Sequence, residues 1–193
     1  MKYEILTYGH PVLRVRAQPA ERVTKALHRL AEDMLETMYA GNGVGLAAQQ
    51  IGQTLSICVI DVPPDHDVET EGGARLNPHV ALPLIMVNPE IVAVDKARER
   101  SEEGCLSFPG IHVAVERALR VTSVFLIWKG ERQTIDVRGF LARAIQHELD
   151  HLHGVLLVDR MSVVKKVSLS GQLKRLKAEQ GHGNEGGGDR GAP

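Results

Sequence analysis

The chain has 193 residues and a formal net charge of −1, with 24% of its residues charged. This length suits one domain with a full hydrophobic core, or a domain and a tail. The balanced charge argues against sequence-specific nucleic-acid binding and membrane binding, and no apolar run approaches the roughly 20 residues that span a bilayer. The N-terminus lacks the basic-then-apolar layout of a signal peptide, so we expect a cytoplasmic protein. The only cysteines are Cys58 and Cys105, and we expect no disulfide scaffold.

An extended arm and a helix come first. Gly9, His10 and Pro11 end the arm, because glycine and proline interrupt regular backbone. Over residues 24–40 the apolar side chains recur at helical spacing, with Thr24 as the N-cap and Gly41 as the stop. We assign the apolar stripe of this N-terminal helix to the core.

A glycine-rich stretch follows, Gly41-Asn42-Gly43-Val44-Gly45, and leads to Gln49 and Gln50. Glycines let backbone pass close to a ligand, although a flexible connection would explain them equally well. A phosphate loop is not favoured, because the G-x-G-x-x-G order and a following Lys-Ser/Thr are both missing. The two glutamines offer N–H donors next to this stretch.

Strands are expected next. Residues 55–61 have the β-branched, apolar character of a buried strand, which makes Cys58 a packed and inert thiol. Residues 63–83 are polar and predict an exposed loop, in which the two histidines match no ligand spacing. Residues 84–87 and 91–94 predict two short strands on either side of a turn at Asn88-Pro89.

Cys105 lies in a different setting, after a charged stretch and within Glu103-Gly104-Cys105-Leu106-Ser107. A cysteine between a glycine and a short apolar turn, beside carboxylates, does not resemble core. Its position is equally compatible with a metal ligand, a nucleophile or a structural residue.

Strand character returns at residues 112–115, 119–128 and 133–137, with a hairpin turn between the last two. The strands are therefore largely antiparallel. A second helix is predicted for residues 140–153, entered at Gly139 and ended by Gly154.

The second helix carries Gln146-His147-Glu148-Leu149-Asp150-His151. Residues four apart differ by about 40° around an α-helix, so His147 and His151 can meet one ion. Glu148 lies beside them, within reach of a water on that ion. This H-E-x-x-H pattern is typical of hydrolytic metal sites, with the glutamate as general base.

The motif supplies only two ligands. Zinc peptidases with an extended motif have another histidine six residues later, where this chain has Leu157. His153 lies about 160° around the helix from His151, and carboxylates are sparse downstream. Cys105 is left as the candidate third ligand, because a thiolate binds divalent transition metals strongly beside two imidazoles.

Residues 162–180 return to helical spacing and carry several cations, Lys165, Lys166, Lys174, Arg175 and Lys177. This charged face is either simply solvated or docks an acidic partner such as ribosomal RNA. We divide the chain into a catalytic domain (1–165), a basic C-terminal helix (166–180) and a disordered Gly-rich tail (181–193). The predicted fold is α+β, with antiparallel strands packed around a central metal-binding helix, an N-terminal helix and a C-terminal helix.

Three motifs, taken together, resemble those of the bacterial-type peptide deformylases. They stand in that family's order: Gly43-Val44-Gly45-Leu46-Ala47-Ala48-Gln49-Gln50, Glu103-Gly104-Cys105-Leu106-Ser107 and Gln146-His147-Glu148-Leu149-Asp150-His151. The resemblance extends over about residues 3–165 and leaves the tail outside.

The resemblance implies a metal-dependent amidase that removes the N-formyl group from the initiator methionine of newly made polypeptides and releases formate. Cys105, His147 and His151 would hold the metal, and Glu148 would take the proton of the attacking water and return it to the leaving amine. The oxyanion would be held by Gln50, by the backbone N–H of Leu106 and by the metal.

The same resemblance implies how N-formylmethionyl nascent polypeptides bind. Gly43, Val44 and Gly45 would pair with the peptide as an added strand. We expect the wall of an apolar methionine pocket to include Val44, Phe140, Ala144 and His147.

Two positions depart from the family pattern. Many members have an acidic residue at the position of Asn42, and some have an arginine at that of His112, so a Glu–Arg bridge cannot be carried over. By the same resemblance, the segment 63–83 looks longer than in compact members of the family.

The ligand types allow Fe²⁺, Zn²⁺, Ni²⁺ or Co²⁺, and we expect one Fe²⁺ on resemblance alone. The alternative to a deformylase is a zinc-type metallopeptidase using the same helix, which Cys105 as third ligand disfavours. A binding protein without activity is disfavoured by Glu148 and Gln50.

Overall fold

A computed structural model gives the fold and describes residues 1–70 and 72–183. Within them, a five-stranded antiparallel sheet in the order β1-β2-β3-β6-β7 lies beside a β4-β5 hairpin. The strands are β1 (Gly45–Ala47), β2 (Ile57–Ile60), β3 (Leu84–Val94), β4 (Arg98–Glu103), β5 (Val113–Ala118), β6 (Arg120–Leu126) and β7 (Arg132–Arg138). The helices are α1 (Lys25–Ala40), α2 (Gly139–Leu152), α3 (Leu157–Arg160), α4 (Val163–Ser168) and α5 (Ser170–Gly183). This arrangement confirms the predicted α+β class.

Helices α1 and α2 cover opposite faces of the large sheet. Side chains alternate along a strand, and in β2 they alternate between two cores. Ile57 and Val59 belong to the cluster around α1, whereas Cys58 and Ile60 belong to the cluster around α2. Cys58 is fully buried, in agreement with its predicted role as a packed thiol.

The predicted ends of α1 are confirmed, whereas each end of α2 lies one residue earlier than predicted, since the helix runs from Gly139 to Leu152. Thr24 Oγ1 accepts a hydrogen bond from the Leu27 N–H at 3.2 Å, which caps α1, and Gly41 closes it. Helix α2 ends at Leu152, with His153 as its C-cap. Because α2 contacts β1, β2, β5 and β7, it lies at the centre of the molecule.

Two expectations about the strands and loops were wrong, and one strand was not predicted. Residues 84–94 form one strand, β3, in which Asn88 has a positive φ of 50° and the register with β6 shifts, so the expected turn is a bulge. Residues 98–103 form strand β4, which the sequence did not indicate because five of its six side chains are exposed. The segment between β2 and β3 is not simply exposed, because Asp67 and Asn77 are fully buried.

The C-terminal region is helical, but its predicted single helix is divided into α4 and α5. Leu173 and Leu176 pack into a cluster with β5, whereas Lys174, Arg175 and Lys177 face solvent. The part of the predicted tail from residue 184 onward lies outside the described residues. None of the described helices combines the length and the apolar character needed to cross a membrane.

Candidate active site

A cavity of about 470 Å³ opens between three segments of the chain. One wall is the glycine-rich stretch 41–45, the second is the end of β4 with the residues that follow it, and the third is helix α2. All four side chains expected in a methionine pocket line it: Val44, Phe140, Ala144 and His147.

Cys105, His147 and His151 converge beside this cavity. Their sulfur and nitrogen atoms all lie within 4.8 Å of one another, and Cys105 Sγ is 3.2 Å from His151 Nε2. One thiolate and two imidazoles are donors that suit a divalent transition metal, and the Nδ1 atom of His151 has no hydrogen-bond partner among the described residues. The three residues therefore fit a metal ion.

Glu103 fixes the orientation of His147. Its Oε2 atom is 3.0 Å from His147 Nδ1, so a proton on Nδ1 leaves the other ring nitrogen free for an ion. Burial acts to raise the pKa of Glu103, but hydrogen bonds from His147 and Arg117 outweigh it and hold the pKa well below its usual range. Burial acts to lower the pKa of His147, but the influence of Cys105 and of the Glu103 carboxylate outweighs it, and the pKa of His147 is raised.

A buried charge network surrounds Glu103. Arg117 donates two hydrogen bonds of 2.9 Å to its carboxylate, and Arg143 Nη1 donates a third at 2.8 Å. Arg117 also donates to Asp150, which in turn accepts two hydrogen bonds from Arg160. Strands β4 and β5 are thereby tied to the metal-site helix.

Glu148 faces the cavity with a free carboxylate oxygen. The residue is 3% exposed, and its Oε2 atom has no partner among the described residues. Burial raises its pKa to about 7. The carboxylate lies directly over Gly45, where a Cβ would be 2.2 Å from Glu148 Oε1. Any larger residue at this position would require the Glu148 side chain to move, which accounts for one of the three glycines.

Gln50 and Leu106 present hydrogen-bond donors at the same place. The Gln50 side chain is held by the Ala47 N–H, which donates to Oε1 at 2.9 Å. Its Nε2 atom lies 3.6 Å from Cys105 Sγ and 3.1 Å from Ser107 Oγ. The N–H of Leu106 makes no hydrogen bond within the described part of the chain. Gln49 does not reach the site, because its amide donates to the Val15 carbonyl instead.

The two departures from the family pattern both line the cavity. Asn42 adopts a positive φ of 55°, and His112 packs beside Gly104. Neither side chain makes an ion pair among the described residues, although Glu103 and Arg143, which also line the cavity, are paired at 2.8 Å.

Sequence reasoning missed the residues that support the site, namely Glu103, Arg117 and Arg143. Arg143 could have been found from the sequence, because it lies four residues before His147 and therefore on the same side of the predicted helix. No signal for Arg117 was available, because its partners come from elements 14 and 33 positions away.

A cysteine and two histidines around one point, beside a buried glutamate on an H-E-x-x-H helix, define a metal-dependent hydrolase. The family model described as polypeptide deformylase matches residues 2–167. The peptide deformylase of Endomicrobium trichonymphae is 40% identical over 176 residues, which cover 91% of this chain and 96% of that protein.

Solved structures agree. The crystal structure of the Thermotoga maritima peptide deformylase matches with a TM-score of 0.73 and 41% identity, covering 84% of this chain and 99% of that one. The Ehrlichia chaffeensis peptide deformylase in complex with actinonin matches with a TM-score of 0.78 and 32% identity, covering 92% and 96%. The chain belongs to the polypeptide deformylase family. It is a metal-dependent hydrolase that removes the N-formyl group from the initiator methionine of newly made polypeptides and releases formate.

Proposed function

We propose that Cys105, His147 and His151 hold the divalent metal of this deformylase and that Glu148 is its general base and acid. One observation carries the assignment: the three donor atoms lie within 4.8 Å of one another, beside a cavity lined by Glu148, whose Oε2 atom has no partner among the described residues. When bound, the metal supplies Lewis acidity to the formyl oxygen and lowers the pKa of the attacking water.

Glu148 moves the proton. Its carboxylate accepts a proton as water adds to the formyl carbon, and it donates that proton to the amine nitrogen as the C–N bond breaks. Formate and a free N-terminal amine are the products. The pKa of about 7 suits both directions of transfer, because a carboxyl poised near neutral pH can accept and release a proton.

The oxyanion of the tetrahedral intermediate is stabilised by two N–H donors, Gln50 Nε2 and the backbone of Leu106. Gln50 is supported in this role because its Oε1 atom is already held by Ala47, so the amide cannot rotate freely. The N–H of Leu106 has no partner among the described residues, so no hydrogen bond has to break before it donates to the developing oxyanion.

The peptide binds along the glycine-rich stretch. Strand β1 pairs only with β2 among the described strands, so its other edge is free for an added strand formed by the substrate. Gly43, Val44 and Gly45 are assigned to this pairing, and all three line the cavity. The methionine side chain is assigned to the wall made by Val44, Phe140, Ala144 and His147.

Formate release tests the reaction. Formyl-Met-Ala and an unformylated peptide are incubated side by side with the enzyme, and we expect formate from the first and no cleavage of the second. Peptide cleavage without formate release would instead support the metallopeptidase alternative.

Fe²⁺ is the metal we propose, on the resemblance to the family alone. The Cys–His–His donor set itself accepts iron, zinc, nickel or cobalt, and affinity order does not decide which of them occupies the site. Anaerobic purification followed by metal analysis and the formate assay tests it. Activity that follows zinc rather than iron content would reject Fe²⁺. The Cys105→Ser variant should retain less metal, and unchanged metal content in it would place the third ligand elsewhere.

We also propose that the enzyme acts in the cytoplasm and docks on ribosomes through α5. The exposed side chains of Lys174, Arg175 and Lys177 support this, because clustered cations are attracted to ribosomal RNA. Replacing all three by glutamate should abolish co-sedimentation with ribosomes while leaving formyl-Met-Ala hydrolysis intact. Undiminished co-sedimentation of that variant would remove α5 from the docking surface.

A further inference from the structure

The segment between β2 and β3, described at residues 61–70 and 72–83, contacts the chain where β7 continues into α2. Three consecutive residues at this junction, Arg138, Gly139 and Phe140, each meet a different part of it. Phe140 also lines the substrate cavity. The segment therefore contacts Phe140, which belongs to the wall assigned to the methionine side chain.

Asn77 provides the first contact. Its side chain binds both main-chain groups of Arg138, accepting from the N–H at 3.0 Å and donating to the carbonyl at 3.0 Å. Asn77 is held in turn by Asp67, which accepts from its side-chain amide and its backbone N–H. Both residues are fully buried, and Arg75 pairs with the Asp67 carboxylate at 3.0 Å. Burial of a carboxylate is energetically costly unless the charge is paired and hydrogen-bonded. Asp67 therefore favours the one arrangement in which Arg75 and Asn77 are both in contact with it.

Leu76 and His66 provide the other two contacts. Gly139 has a φ of +67°, and a Cβ there would lie 2.6 Å from Leu76 Cδ1, so Leu76 and Gly139 pack without room for a larger residue. The ring of His66 meets that of Phe140 edge-on, with centroids 5.5 Å apart. Since Phe140 is only half-buried, the His66 ring is a direct restraint on its position.

The start of α2 is also held by the main chain, because the Gly139 N–H donates to the Leu119 carbonyl at 2.9 Å. Its N-cap, Arg138, makes no side-chain capping hydrogen bond. Building on the proposed placement of the substrate methionine, we infer that Asp67, Asn77 and His66 are specificity-determining positioning residues. They fix the start of α2, and with it the Phe140 wall of the methionine pocket, without touching metal or substrate.

His66→Ala is the first variant, because His66 is exposed and its removal should leave the fold intact. Steady-state kinetics are measured with formyl-Met-Ala and formyl-Ala-Ala. We expect KM for the methionine substrate to rise about fivefold with kcat within about twofold, so the Met-over-Ala preference falls about fivefold. Metal content should be unchanged. His66→Phe keeps an edge-on ring and should restore the preference.

Asp67→Asn and Asn77→Ala test the buried contact between Asn77 and the main chain of Arg138, with Asp65→Asn as the matched control. Asp65 is an exposed carboxylate two residues from Asp67, and we expect wild-type kinetics from its variant. Asp67→Asn and Asn77→Ala should lower the Met-over-Ala preference in the same direction as His66→Ala. Unchanged preference in His66→Ala, or equal loss of both substrates without rescue by His66→Phe, would overturn the inference.

Phe140→Leu separates this inference from the pocket assignment on which it rests. If this variant changes the preference and the three segment variants do not, the segment has no positioning role although the pocket is correctly assigned. If Phe140→Leu leaves the preference unchanged, the pocket assignment is wrong and the inference falls with it.

Discussion

The α2 wall of the cavity is held by charged side chains, whereas the facing wall, residues 41–45, presents mostly backbone. Glu103, at the end of β4, supports the α2 wall by accepting hydrogen bonds from Arg143 and His147 of α2 and from Arg117 of β5. On the facing side, the carboxylate of Glu148 approaches Gly45 so closely that a side chain there would require Glu148 to move. The first wall depends on paired charges, and the second depends on glycine having no side chain. Substitutions in the two walls should therefore impair the enzyme in different ways.

The largest effect should come from Glu148→Ala on the α2 wall. Loss of the general base and acid should lower kcat about 10³-fold, with metal content unchanged because Glu148 is not a proposed ligand. Stopped formate assays and metal analysis of the same preparation measure both. Loss of metal from this variant would contradict the assignment of Glu148 as base.

Gly45→Ala tests the facing wall. The new Cβ would occupy the position of the Glu148 carboxylate, so the base must move, and we expect kcat to fall about 10²-fold with metal retained. Gly171→Ala is the matched control, since a Cβ at Gly171 meets nothing within 4 Å and should leave activity unchanged. Activity of Gly45→Ala equal to that of the control would mean that the close approach has no catalytic consequence.

Glu103→Gln weakens the charged support without removing its volume. His147 would lose its carboxylate partner, and we expect metal affinity to fall between about 10-fold and 100-fold. Competition with a chromophoric chelator measures this. A variant that binds metal as tightly as the wild type would show that His147 needs no charged partner.

Lowering the pH should reduce the difference in unfolding free energy between the Glu103→Gln variant and the wild type. The pKa of Glu103 is lowered in the fold from its ordinary 4.5, so its ionised form stabilises the native state above pH 4.5. This contribution is lost as the pH falls through the lowered pKa. In urea unfolding of metal-free protein, the stability advantage of wild type over Glu103→Gln should be full at neutral pH and shrink in acid. An advantage that grows in acid would reverse the assigned sign.

Far from both walls, Thr24→Ala should have the smallest effect. Loss of the α1 cap should cost about 1 kcal/mol of unfolding free energy, measured by urea unfolding, with kcat and KM unchanged. A change in kcat would mean that α1 influences the cavity at a distance.

The sequence predicted both long helices well because their signals are local. The apolar spacing before Gly41 and the Thr24 cap lie within the helix they define, and so do the two histidines of α2. Strand β4 gave no such signal, because an exposed strand with one buried residue lacks apolar alternation.

The sequence also did not predict the buried polar contacts, and the physical reason is different. Asp67 and Asn77 are fully buried because their partners satisfy them, and Arg138 lies 61 positions from Asn77. A polar side chain predicts exposure until its partner is known, and that partner is set by the fold. The same holds for Glu103, whose partners Arg117 and Arg143 come from β5 and α2.

The proposed metal donors come from two places in the chain, Cys105 after β4 and the two histidines on α2. An unfolded chain would not hold them together, so the free energy of metal binding adds to that of folding. Chains that lack metal should therefore open more often and be degraded sooner by cellular proteases. Metal supply would then control how much of this enzyme survives in the cell as well as how much of it is active.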